Sequence, residues 1–122
     1  MNIEELRDYC LSKPHVTESF PFDEATLVFK VEGKMFLLCD TETELSINIK
    51  CDPEIALNLR DKYVAVQPGY HMNKSHWNTV SIDGSVPDKL IKEWIDHSYW
   101  LVVSKLPKIK RLQIEKEQYN GE

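Results

Sequence analysis

The chain has 122 residues and a formal net charge of −5, with 42% hydrophobic and 29% charged side chains. This is the size of one domain, with enough apolar mass for a single core, and it excludes a disordered chain. Its apolar runs fall far short of the roughly 20 residues that a membrane span needs, and its acidity disfavours nonspecific attraction to nucleic acid.

Asn2 followed by Glu5 forms a capping-box start. Ile3, Leu6 and Cys10 then recur at helical spacing until Pro14, which predicts a helix over about residues 2–12. Thr17–Pro21 reads as a connection. Thr26–Val31 and Lys34–Leu38 read as strands of a hairpin, because Glu32-Gly33 supplies the positive φ of a tight turn. Over Glu44–Lys50, Leu45, Ile47 and Ile49 alternate with Ser46, Asn48 and Lys50, so this strand has one packed face and one wet face.

Asp52-Pro53 marks a helix start, with a capping carboxylate followed by a residue that has no amide to waste. That helix runs to about Lys62, with Ile55, Ala56 and Leu59 as its buried stripe. Tyr63–Val66 reads as a short strand, Pro68-Gly69 as a turn and Asn78–Ile82 as another strand. A last helix extends from near Pro87 to about Lys105, its apolar face carrying Leu90, Ile91, Trp94, Ile95, Leu101 and Val102. The order α-β-β-β-α-β-β-α predicts an α+β, two-layer sandwich: an antiparallel sheet of about five strands with helices on one face. The domain spans residues 1–106, followed by a basic and then polar tail over 107–122, of which Glu115–Glu122 is expected to fray.

Cys10, Cys39 and Cys51 are odd in number and widely spaced, without a C-x-x-C, and are expected to be reduced and buried. Met1-Asn2-Ile3-Glu4-Glu5 is acidic where a signal peptide is basic, which favours a cytoplasmic location. Charge divides unevenly along the chain. Residues 1–66 hold 7 basic and 13 acidic groups, a net −6, whereas residues 67–122 hold 8 basic and 7 acidic groups, a net +1. Lys105, Lys108, Lys110 and Arg111 fall in an acid-free stretch over residues 97–114.

The densest chemistry is Tyr70-His71-Met72-Asn73-Lys74-Ser75-His76-Trp77, directly after the Pro-Gly turn. Lys, His, Asn and Ser are donors that phosphate oxygens accept from, and Tyr and Trp stack on bases. The structural alternative has Asn73 capping a single turn and Tyr70 and Trp77 serving as core aromatics. His71 and His76 are five residues apart, off one helical face and without an evident third ligand, so no metal is expected. No P-loop, G-x-S-x-G or G-x-G-x-x-G occurs, and no cofactor or catalytic residue is expected. His97 is expected to be structural. Phe20-Pro21-Phe22-Asp23 is expected to pack over the core edge, with an exposed aromatic patch as the alternative.

Four segments carry a resemblance. They are Phe20-Pro21-Phe22-Asp23 with Thr26-Leu27-Val28-Phe29-Lys30; Asn48-Ile49-Lys50-Cys51-Asp52-Pro53; Pro68-Gly69-Tyr70-His71-Met72-Asn73-Lys74 with His76-Trp77-Asn78-Thr79; and Asp96-His97-Ser98-Tyr99 before Leu101-Val102-Val103. Over about residues 2–105 the chain resembles the MmcQ/YjbR family, most specifically in the third segment. The resemblance implies an antiparallel sheet with flanking helices, similar to frataxin-like and secretion-chaperone-like folds, and a DNA-binding role. The expected function is therefore a non-enzymatic binding module that holds DNA weakly and salt-dependently. Its contacts are Tyr70, His71, Asn73, Lys74, His76 and Trp77, extended by Lys105, Lys108, Lys110 and Arg111. The competing reading is a protein-interaction or chaperone-like module.

Overall fold

A computed structural model describes residues 1–69 and 72–120. Helix α1 (Ile3–Leu11) begins with the expected capping box: the Glu5 amide donates to Asn2 Oδ1 at 2.8 Å, and the Asn2 amide donates to Glu5 Oε1 at 3.3 Å. Strands β1 (Val16–Ser19), β2 (Thr26–Val31), β3 (Lys34–Asp40) and β4 (Ser46–Lys50) follow as a meander. The β2–β3 turn places Glu32 at φ 48° and Gly33 at φ 77°, as a two-residue hairpin requires. After α2 (Pro53–Lys62) come β5 (Val66–Pro68), β6 (Trp77–Ser81), α3 (Asp88–Val103) and α4 (Lys108–Asn120). The six strands lie in the order β1-β2-β3-β4-β6-β5, with every pairing antiparallel.

The sheet thus has one strand more than expected. The segment read as a connection overlaps β1, an edge strand whose side chains are alternately half-buried and exposed. The C-terminal tail also differs from expectation, since residues 108–120 form α4 rather than a frayed end. Ile114 is fully buried in the main core and anchors it. That core lies between one sheet face, with Leu27, Phe29, Ile47 and Val80, and helix residues such as Leu6, Ile91, Ile95 and Tyr99. In α2 the buried stripe narrows to Ala56 and the half-buried Leu59, while Ile55 is 43% exposed. Among the described residues no helix is long and apolar enough to cross a membrane.

A bulge sets the geometry of the sheet centre. Between β2 and β3 the register shifts after Phe29, which pairs with Leu37, whereas Lys30 pairs with Met35; Phe36 is the extra residue. The β3–β4 ladder stops at Leu37↔Ile49, so Phe36 and Lys50 would be the next pair. The Ser98 hydroxyl of α3 stands between them. It donates to the Phe36 carbonyl at 2.5 Å and accepts from the Lys50 amide at 2.8 Å. A buried polar side chain in a helix therefore completes a ladder that the bulge interrupts.

Among the described residues, the other sheet face carries no helix and is less wet than the alternation predicts. Val28, Leu38 and Trp77 are buried there, with Met35 and Met72 packed against them. The Phe20–Asp23 loop does not pack down over the core edge, because Phe20 is 50% and Phe22 64% exposed.

Candidate functional site

The segment after Gly69 is shaped by backbone bonds. The Trp77 amide donates to the Asn73 carbonyl at 3.0 Å, and the Ser75 amide donates to Asn73 Oδ1 at 2.9 Å, so Asn73 closes a tight turn with its own side chain. The Cys51 amide donates to the His76 carbonyl at 2.7 Å, which ties the turn to the end of β4. Arg60 of α2 fixes it from the other side. Its guanidinium donates to Asn78 Oδ1 at 2.6 Å, to the Trp77 carbonyl at 3.2 Å and to the Lys74 carbonyl. Asn78 is buried, and its amide group donates to the Ala56 carbonyl at 3.4 Å. Gly69 meets the strand so closely that an added Cβ would lie 2.7 Å from Trp77 Cβ.

These constraints leave Asn73, Lys74 and His76 exposed. Asn73, His76 and Trp77 line a cavity of about 390 Å³ together with Lys50, Asp52 and Lys105. Lys50 lies across from Trp77 in the β4–β6 ladder, and Lys105 follows the end of α3. A smaller neighbouring hollow adds Lys34 beside Lys50, Trp77 and Lys105. Lysines from β3, β4 and the segment after α3 thus line two adjoining hollows that share Trp77. Asp52 is the single carboxylate among the described residues lining either hollow. It is partly engaged in capping α2, where its Oδ1 accepts from the Glu54 amide at 3.1 Å.

The predicted residues do not all meet. His76, Asn73, Trp77 and Lys105 share the cavity, whereas the Lys74 side chain is exposed outside its lining. Trp77 is only 8% exposed and forms a wall packed on Val28 and Leu38, in line with the reading of it as a core aromatic rather than an open stacking platform. Lys108, Lys110 and Arg111 ride on α4, away from this lining. Lys110 stands 3.8 Å from Glu32, and Arg111 lies 3.7 Å from Glu115. Tyr70 and His71 lie outside the described residues. Sequence reasoning overlooked Lys34, Lys50 and Arg60, although the alternation over 44–50 already put Lys50 on the sheet's open face.

The Asp96–Tyr99 motif is structural throughout. The Tyr9 hydroxyl donates to Asp96 at 2.6 Å, the Asp52 amide donates to His97 Nε2 at 3.3 Å, Ser98 bridges the bulge, and the Tyr99 hydroxyl donates to the Pro14 carbonyl at 2.6 Å. The three cysteines are free and buried. Burial raises the thiols of Cys10 and Cys39 to about 12 and that of Cys51 to about 11, so they stay protonated at neutral pH. Among the described residues no group of three or more His, Cys, Asp or Glu side chains is placed to hold a metal ion.

Residues 11–101 match the YjbR protein family. The chain is 39% identical over 112 residues to the uncharacterized protein YjbR of Escherichia coli K12, covering 91% of this chain and 95% of that protein. Among solved structures, it is similar to that of Deinococcus radiodurans protein DR2400, with a TM-score of 0.88 and 40% identity over 93% of this chain and 88% of that one. A Pseudomonas syringae protein matches with a TM-score of 0.73 and 28% identity, covering 83% of this chain and 98% of its own. The α+β fold, the shared segments and these relatives agree: the chain belongs to the YjbR (MmcQ, DUF419) family.

Proposed function

We propose that the chain is a non-enzymatic binding domain that takes phosphate groups of DNA in the cationic cleft beside Trp77. The observation that carries this reading is that Lys50 and Lys105 line the cleft with exposed His76 and Asn73, and Lys34 the adjoining hollow, in a chain that is acidic overall. Ammonium groups and side-chain N–H donors around a concave wall suit phosphate oxygens. The overall charge of −5 opposes long-range capture, so the affinity is weak and rests on local contacts.

The test is fluorescence anisotropy with labelled single- and double-stranded DNA at two salt concentrations. Three phosphate-facing lysines predict a loss of roughly 20- to 40-fold in affinity between 50 and 200 mM salt. Lys50→Ala with Lys105→Ala removes about two thirds of that slope, while Lys89→Ala, on α3 outside the cleft lining, leaves it intact. Binding without a salt slope, or unaffected by the double substitution, refutes the proposal.

A further inference from the structure

The helix-free sheet face is electrically divided, and its register shows how. Thr26, Asp40, Ser46 and Ser81 form the cross-strand row at one end. Val28, Leu38, Asn48 and Thr79 form the middle row, and the Lys30–Met35 and Lys50–Trp77 pairs lie at the other end. The cationic cleft takes up the lysine end. At the opposite end is a second, larger hollow of about 550 Å³, within the size range that encloses small organic ligands.

The composition of this hollow differs from that of the first. Phe22, Met35, Leu38 and Met72 supply its apolar surface, and Asp23 and Asp40 supply charge. There is no basic side chain among the described lining residues. Both carboxylates are fixed in place by backbone amides. Asp23 Oδ1 accepts from Ala25 and Thr26 at 2.9 and 2.7 Å, and Asp40 Oδ1 accepts from Glu42 at 2.9 Å. These bonds hold both groups below the ordinary carboxylate range, although the charge of Asp23 pushes Asp40 in the opposite direction. Phe22, 64% exposed beside Asp23, offers a ring face to a cation, and the two thioethers adapt to an irregular apolar body.

We infer that this hollow is a binding site for a small organic cation with an apolar or aromatic body, such as an arylalkylammonium. Its ammonium group sits between Asp23 and Asp40 against the Phe22 ring. Its apolar body lies over Leu38, Met35 and Met72. The size of the hollow favours one such molecule over an extended chain. The inference is independent of phosphate binding, which uses the other end of the face.

The experiment is an amide-resolved NMR titration of the full chain with three probes that share one ring: phenethylammonium, phenethyl alcohol and phenylacetate. Phenethylammonium is expected to bind at least about fivefold more tightly than the alcohol, and phenylacetate not to bind. Its shifts should be confined to residues 22–26, 35–40, 46–48, 72 and 79. Asp23→Asn with Asp40→Asn keeps the oxygen that accepts from the backbone but removes the charge, and should bring the cation down to the level of the alcohol. Ser46→Lys, which places a cation in the lining without touching either turn, is the second variant and should abolish binding. Equal affinity for all three probes, shifts centred on Lys50 and His76, or indifference to both variants would overturn the inference.

Discussion

Ser98→Ala is the most informative single substitution. Ser98 is fully buried, and its hydroxyl replaces the missing β3–β4 bond by serving both Phe36 and Lys50. Alanine retains the packing of the Cβ but leaves a carbonyl and an amide without partners. Each such buried group costs about 1–3 kcal/mol, so the expected loss is roughly 2–6 kcal/mol in total. For a domain of this length that lowers Tm by about 8–24 °C. Urea unfolding followed by circular dichroism measures the loss, and hydrogen exchange should show the Lys50 amide losing protection. Ser104→Ala is the control: Ser104 is exposed and its hydroxyl donates only to the Leu101 carbonyl, so its effect stays within about 0.5 kcal/mol. If Ser98→Ala is as mild as this control, the hydroxyl does not complete the ladder and the reasoning fails.

Ile114→Ala should destabilise the domain by about 2–5 kcal/mol, measured by urea denaturation, whereas a frayed tail would show no change. Gly69→Ala should cost about 1–3 kcal/mol by the same assay, because the new Cβ meets Trp77 atoms at 2.7 and 2.9 Å and strand β6 must move. His15 lies against Glu32, with its Nε2 2.7 Å from Glu117 of α4, and the Glu32 contact first, then Glu117, raises its pKa above 6.5. Protonated His15 therefore stabilises the fold fully below about pH 6.5, and this contribution disappears as pH rises through the raised value. His15→Gln should flatten that part of the stability–pH profile; an unchanged slope would show that the pairing has no such effect.

Legibility followed locality. The Asn2–Glu5 capping box, the Glu32-Gly33 hairpin and the Leu45–Lys50 alternation were readable because each is decided within a few residues. Strand β1 was not readable: Val16-Thr17-Glu18-Ser19 has weak intrinsic preference and becomes a strand by pairing with Val28–Val31. Helix α4 escaped because its sequence is polar and its contact with the core rests largely on Ile114, a tertiary fact. At the site, the 73–77 turn and the outward face of Lys50 were legible. The meeting of Lys50 with Lys105 was not, since only the packing of α3 across β3 and β4 brings the end of the helix to that ladder.

Arg60 has a further consequence for how the cleft behaves. The helix that carries it is capped by Asp52, one wall of the cleft, while its guanidinium holds the carbonyl of Trp77, another. Both jaws are thereby fastened to one rigid rod. On the proposed phosphate binding, the ligand would meet a mould already set, with little entropy left to surrender in shaping it, and free and occupied backbones should superpose closely.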